Sequence, residues 1–115
     1  MRRSHSTAVL RLATAVVLLV GCAPRTPEGR GKAHYQRVCA ACHGVDGSGM
    51  GRLGTPLAGA EILGRSDAAL VEVIRKGRMP QARDSKTGML MPPRGGDVRL
   101  TDDDLADVVT YIRTW

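Results

Sequence analysis

Two thiols and an imidazole stand side by side in the run Cys39-Ala40-Ala41-Cys42-His43. The cysteines are three positions apart, so about one helical turn brings both thiols to the same side of a helix. Thiols at this spacing can add to the two vinyl groups of one porphyrin, and the neutral imidazole that follows is a good ligand for haem iron. The Cys-x-x-Cys-His pattern therefore predicts covalent attachment of one haem.

Two other kinds of site also use a Cys-x-x-Cys pair. A thiol redox site usually lies beside a βαβ pattern, but the sequence shows no run of strands. A zinc site needs a second pair of Cys or His ligands. The remaining histidines are His5, in a segment that we expect to be removed, and His34, which we expect to be exposed on a helix. Haem attachment is the favoured interpretation.

The start of the chain has the features of an export signal. Three arginines among the first eleven residues accompany an uncharged apolar run over residues 12–20, which is too short to span a bilayer. The run leads into Leu-Val-Gly-Cys at residues 19–22, which resembles the lipobox of bacterial lipoproteins. We therefore expect a lipoprotein signal peptide over residues 1–21 and acylation of Cys22. The protein would then be exported and anchored to a bacterial membrane, facing the periplasm or the cell exterior.

The segment after the anchor is predicted to be a linker. Residues 22–31 contain two prolines and two glycines without apolar periodicity, and the folded domain is expected over residues 32–115. The chain carries a net charge of +6, and loss of the three signal arginines leaves +3. Basic and aromatic residues are not interleaved, and an exported protein has little access to nucleic acid. We therefore expect no nucleic-acid binding.

The domain is predicted to be helical. A first helix begins near Gly31 and runs into the haem motif, with Tyr35, Val38, Cys39 and Cys42 on one face. A second helix covers residues 67–76, with Ser66 as its N-cap and Gly77 at its C-terminal end. These boundaries follow from the apolar spacing and from the residue types at both ends.

The last helix has the clearest pattern. Thr101 and Asp104 form a capping-box-like start, and an apolar stripe follows at Leu105, Val108, Val109 and Ile112.

Two irregular segments separate the helices. Residues 44–64 hold seven of the chain's 14 glycines, which permit close backbone approach to a flat cofactor. Residues 78–99 carry three methionines, and long irregular segments of this kind are often functional.

Residues 31–115 resemble the class I cytochrome c family. The matching stretches, in order, are Gly-Lys-Ala-His-Tyr before Cys39-Ala-Ala-Cys-His-Gly, then Asp46-Gly-Ser-Gly, Pro56-Leu-Ala-Gly, Ile74-Arg-Lys-Gly, a Met-Pro pair, Leu100-Thr-Asp and Tyr111-Ile-Arg. The resemblance implies an all-α cytochrome c fold of three to four helices, with Gly-rich loops wrapped around one covalent haem c. It implies that the first and last helices cross near Gly31, Tyr35 and Tyr111. It also implies electron transfer rather than catalysis, with His43 as the proximal iron ligand.

The resemblance further implies a methionine as the distal iron ligand. Met79 and Met91 are both followed by proline, as in the family, and Met89 lies nearby. Met91 stands nine positions before Leu100, a spacing like that in family members, so Met91 is favoured and Met79 is the alternative. If none of the three binds iron, the distal site is open, as in a haem sensor or enzyme.

The backbone partner of His43 is left open by the sequence. Many family members place a proline whose carbonyl accepts a hydrogen bond from the second ring nitrogen of the proximal histidine. Here Pro directly precedes Leu in Gly54-Thr55-Pro56-Leu57, so Gly54, Thr55 or Pro56 could supply the acceptor.

Together with the lipid anchor expected at Cys22, the family resemblance implies a membrane-tethered carrier of single electrons between respiratory or periplasmic redox partners. Between Arg75 and Arg99 there are seven Lys or Arg against two Asp, which would suit acidic partners or would simply be a solvated loop. A cytochrome subunit of a larger dehydrogenase or oxidase fits the same sequence. A thiol oxidoreductase without haem is a further alternative.

Overall fold

The computed structural model describes residues 26–115, so the predicted signal peptide and Cys22 lie outside the described residues. The helices are α1 at Pro27–His34, α2 at Ala40–His43, α3 at Asp67–Lys76 and α4 at Asp102–Ile112. A π-helical turn, Tyr35–Cys39, joins α1 to α2 without a break, and short 3-10 turns lie at Glu61–Gly64 and Pro93–Gly96. The described residues form no strand beyond one isolated bridge, which confirms the all-α class. None of these helices is long and apolar enough to cross a membrane.

The first helix begins at Pro27, earlier than the predicted start near Gly31. The Thr26 hydroxyl accepts a hydrogen bond from the Gly29 N–H at 3.1 Å and caps the helix. Proline suits the first turn because its fixed φ is helical and its missing N–H would have no partner there. Residues 27–31, which the sequence assigns to the linker, are therefore helical.

Helix α3 has the bounds that the sequence predicts, and α4 has the predicted cap at its start. The Ser66 hydroxyl accepts from the Ala69 N–H at 3.3 Å, and Gly77 ends α3. At α4 the Thr101 hydroxyl accepts from the Asp104 N–H at 3.2 Å, and the Asp104 carboxylate accepts from the Thr101 N–H at 2.8 Å. This reciprocal pair is a capping box, so a short Asp can replace the usual Glu.

Helices α1 and α4 cross in close contact. A Cβ built on Gly31 would lie 1.9 Å from the carbonyl oxygen of Asp107, so only glycine fits there. Beside this contact Arg30 donates to both oxygens of the Asp107 carboxylate, from Nε at 2.6 Å and from Nη2 at 3.1 Å. A bidentate pair of this kind fixes the relative orientation of the two helices as well as their separation.

All three aromatic side chains of the protein form one cluster at this crossing. The Tyr35 ring lies 5.5 Å from that of Tyr111 and 5.1 Å from that of Trp115, measured between centroids. The apolar stripe of α4 is buried, as predicted, and the core is completed by Leu70, Ile74, Leu100, Leu105, Val108, Val109 and Ile112. The contact near Gly31, Tyr35 and Tyr111 that the family resemblance implied is confirmed.

His34 lies on a helix as predicted, but the prediction that it is exposed is wrong. Its side chain is half-buried, with Nε2 3.3 Å from an Asp104 oxygen and Nδ1 3.1 Å from Nη2 of Arg37. A guanidinium can only donate, so Nδ1 accepts and Nε2 carries the proton that faces Asp104. The start of α4 covers this face of α1, and that long-range packing is not visible in a local pattern.

Candidate haem site

The helices and the two long loops enclose a cavity of about 480 Å³ with mostly apolar walls. Its size lies within the range typical of cofactor pockets. Apolar side chains from the π-helical turn, the Gly-rich loop, α3 and α4 line it, among them Val38, Leu57, Ile62, Leu70, Ile74 and Val108. The predicted attachment residues Cys39, Cys42 and His43 lie in the same wall.

Cys39 and Cys42 are free thiols on the cavity side of the N-terminal helical segment (residues 27–43). Cys39 is partly buried against the core, whereas Cys42 is exposed. Burial raises the pKa of the Cys39 thiol to about 11, with a smaller contribution from Cys42, so this thiol is protonated at neutral pH. The Ala40 N–H donates to the Tyr35 carbonyl and closes the π-helical turn that sets the rotation of the motif about the helix axis.

The imidazole of His43 is held by the Gly-rich loop. Its Nδ1 lies 2.9 Å from the carbonyl oxygen of Thr55, so among Gly54, Thr55 and Pro56 the structure selects Thr55. Because a carbonyl only accepts, Nδ1 carries a proton, and in the neutral imidazole the free lone pair is then on Nε2. A histidine whose second nitrogen is held in this way is oriented for binding a metal.

The structure separates the three candidate methionines. Met91 lines the cavity and packs, partly buried, against the core. Met89 also lines the cavity but is 46% exposed, whereas Met79 is 63% exposed and lies outside the cavity wall. The backbone of Met91 is fixed by a bridge to Arg78. Met91 is therefore the methionine that combines cavity lining, burial and a fixed backbone.

These residues fit a covalent haem. Two thiols, one imidazole and two thioethers line the same apolar cavity, and this set contains the donors of His/Met-ligated haem c. Among residues 26–115, no three His, Cys, Asp or Glu side chains cluster so that they could bind a metal ion by themselves. The fold and the cavity thus define a small helical haem protein.

Comparison with known proteins gives the same class. The family model for cytochrome c matches residues 29–115, which is most of the chain. The protein belongs to the cytochrome c family. Residues 29–115 thus form a cytochrome c domain, the kind of domain that transfers electrons through covalently bound haem c.

Similar proteins include short cytochromes and longer subunits. Cytochrome c-555 of Prosthecochloris aestuarii is 34% identical over 82 residues, which cover 71% of this chain and 81% of that protein. Cytochrome c-555 of Chlorobaculum tepidum is 31% identical over 101 residues, which cover 88% of each chain. The cytochrome c subunit of the quinone alcohol dehydrogenase of Komagataeibacter europaeus is 37% identical over 82 residues. That match covers 70% of this chain and only 17% of the relative. No solved structure matches the chain.

Three charged side chains in the cavity wall were not assigned to the site by the sequence analysis, namely Arg78, Asp84 and Lys86. No motif marks them. Arg78 reaches the cavity because its backbone pairs with Met91, which is 13 positions further along the chain. Only the folded loop brings such distant residues together.

Most of the basic residues between Arg75 and Arg99 are paired with acids. The ion pairs are Arg75 and Lys76 with Glu72, Arg78 with Asp84, Arg94 with Asp102, and Arg99 with Asp97. In the part of the chain that the structure describes, Arg83 and Lys86 are the members of this set that form no ion pair. The segment is thus less strongly positive than its sequence indicates.

Proposed function

We propose that the protein is a membrane-tethered monohaem cytochrome that carries single electrons between respiratory or periplasmic redox partners. The observation that carries this proposal is the placement of His43 and Met91 on one apolar cavity whose wall also holds Cys39 and Cys42. Haem bound there supplies an iron that alternates between the ferric and ferrous states.

Each of these side chains has a defined task in the proposal. The thiols of Cys39 and Cys42 hold the porphyrin covalently, and Thr55 orients the imidazole of His43 through Nδ1. Met91 offers a neutral sulfur, which stabilises ferrous over ferric iron. With both axial positions filled by the protein and with apolar walls excluding water, the site favours electron exchange over substrate chemistry.

The membrane tether is the acyl group proposed for Cys22. Because α1 begins at Pro27, four residues separate Cys22 from the folded domain, and they span at most about 14 Å when fully extended. The domain would therefore stay at the membrane surface, facing the periplasm or the cell exterior. Replacement of Cys22 by Ser should move the protein from the membrane fraction to the soluble fraction. Retention of that variant on membranes would contradict the anchor.

The partners are proposed to be redox proteins with an acidic docking surface. Lys86 lies in the cavity wall without an ion pair among the described residues, so it is placed to attract a carboxylate near the haem. Attraction of this kind steers encounters between charged proteins.

A second candidate is a cytochrome subunit of a larger dehydrogenase. The observation that favours it is the 37% identity to cytochrome c subunits of quinone alcohol dehydrogenases, of which this chain spans 17%. Gentle solubilisation of membranes followed by size-exclusion chromatography distinguishes the candidates. A free carrier should elute alone, and a subunit should elute with its dehydrogenase.

Optical spectroscopy tests the haem site. The wild type, matured with haem, should show a haem c spectrum and a ferric methionine–iron absorption. Met91→Ala should lose that absorption and bind cyanide readily, because the distal position is then open. Met79→Ala is the matched control and should retain it. Loss of the absorption in Met79→Ala alone would identify Met79 as the distal ligand. Retention of the absorption in both variants would refute Met91 as the ligand.

A further inference from the structure

Arg78 has an unusual position beside the proposed iron ligand. Its N–H donates to the Met91 carbonyl at 2.8 Å, and the Met91 N–H donates back to the Arg78 carbonyl at 3.0 Å. The Arg78 side chain lines the haem cavity and is only 19% exposed. One residue therefore holds the backbone of the methionine and also brings a largely buried cation to the cavity.

The Arg78 guanidinium forms a weak ion pair in this structure. Arg78 donates to the carboxylate of Asp84, whose side chain is 54% exposed. An ion pair with a mostly exposed carboxylate contributes little, because water and salt screen it. A carboxylate inside the cavity could accept two parallel hydrogen bonds from the same guanidinium in a drier environment, which makes the stronger pair.

A haem brings such carboxylates with it, because its two propionate groups project from one edge of the porphyrin. Placing a carboxylate against an apolar wall is costly unless a cation pairs with it. Apart from His43, the cavity wall contains two basic side chains, Arg78 and Lys86, and Arg78 is the more buried.

We propose that Arg78 binds a haem propionate, releasing Asp84 to solvent, while its backbone holds Met91. The inference rests on the covalent haem of the proposed electron carrier. A guanidinium near the iron disfavours the additional positive charge of the ferric state, so Arg78 raises the reduction potential. The side chain and the backbone of one residue would then both favour ferrous iron, the first through its charge and the second through the methionine that it positions.

Redox titration of the holoprotein tests this role with four variants. Arg78→Gln should lower the reduction potential while keeping the methionine–iron absorption, because the bridge to Met91 uses only backbone atoms. Arg78→Lys keeps the charge and should lie closer to the wild type. Arg83→Gln removes an equal charge from the same loop outside the cavity wall and should shift the potential less. Asp84→Asn should shift the potential less than Arg78→Gln does, because the Asp84 carboxylate is 54% exposed and is screened by water once Arg78 has changed partner.

Two results would overturn the assignment. One is a potential for Arg78→Gln equal to that of Arg83→Gln. The other is a rise in Asp84→Asn as large as the fall in Arg78→Gln, with the double variant restoring the wild-type value, because the original ion pair would then persist. If Arg78→Gln does not mature with haem, the reduction potential of Asp84→Asn alone decides whether Arg78 pairs with a propionate or with Asp84. A wild type without a haem spectrum would refute the proposed function instead.

Discussion

Gly77 touches the backbone of Met91: a Cβ built on this glycine would lie 2.2 Å from the Met91 carbonyl oxygen. Gly77 also has a φ of +69°, in the left-handed region that favours glycine. The end of α3 therefore limits where Met91 can lie, in addition to the bridge from Arg78. The position of the proposed ligand is set by a helix terminus on another part of the chain.

Substitution of Gly77 by Ala should disturb the iron ligand. The added methyl group meets backbone that cannot rotate away, so the ferric methionine–iron absorption should weaken. Gly88→Ala is a close control, because Gly88 has a φ of +67° but open space around its Cβ position. Both variants should lose stability because alanine is strained at a positive φ, by about 1–3 kcal/mol. Gly77→Ala should lose more because its methyl group also meets backbone, and only Gly77→Ala should change the absorption. An equal change of the absorption in both variants would show that backbone strain alone causes it.

Substitution of Gly31 by Ala should destabilise the crossing of α1 and α4. The new methyl group would overlap the Asp107 carbonyl, so the helices must separate, at a cost of about 2–3 kcal/mol. Gly64→Ala, with nothing near its Cβ position, should leave stability almost unchanged. Thermal unfolding of the two holoproteins measures the difference. Similar midpoints would show that the crossing tolerates a methyl group.

Ionisation of the Asp97 carboxyl group makes the stability of the fold depend on pH. Hydrogen bonds from Arg99 and Arg37 hold the pKa of its carboxyl far below the usual range. A lowered folded-state pKa adds stability above the unfolded value, near 4, and that stability is lost as pH falls further. Asp97→Asn should therefore be less stable than the wild type at pH 7, and the gap should shrink towards pH 2.

The control for this comparison is Asp103→Asn, which removes the same charge from an exposed residue in the first turn of α4. Thermal unfolding of the three proteins at several pH values gives the comparison. If the difference in stability between the wild type and Asp97→Asn stayed constant from pH 7 to pH 2, the two arginines would not act through the ionised carboxylate.

Lys86 should affect encounter rates with an acidic partner. Lys86→Gln should slow electron exchange a few-fold at low ionic strength and flatten its dependence on salt, because screening then has less attraction to remove. Arg65→Gln removes an equal exposed charge away from the cavity wall and should have a smaller effect. Stopped-flow kinetics across a salt series would show this, and a wild-type rate independent of salt would argue against steering.

Local signals predicted both ends of α3 and the start of α4. Ser66, Gly77, Thr101 and Asp104 act within one helical turn of the end that each marks, so their types and spacing were sufficient. The start of the first helix was missed because Pro27 in a Pro- and Gly-containing stretch looks like a linker residue. Its role as a first-turn residue depends on the cap from Thr26.

The site was predictable in part for the same reason. Cys39, Cys42 and His43 are adjacent, so the sequence brings them together without help from the fold. Met79 and Met91 are each followed by proline, so this dipeptide does not distinguish the two candidate ligands. In the structure they differ because an antiparallel bridge from Arg78 fixes the backbone of Met91. That bridge closes a loop of a dozen residues, and no local pattern encodes it.

Tyr35 connects the haem cavity with the helix crossing. Its buried hydroxyl donates to the Gly44 carbonyl at 2.7 Å, directly after His43, while its ring packs against Tyr111 and Trp115. Binding of the iron by His43 and docking of α4 are therefore thermodynamically linked, since each stabilises the arrangement that the other requires. Protection of the α4 amides from hydrogen exchange is accordingly a gauge of how firmly the proximal ligand is held.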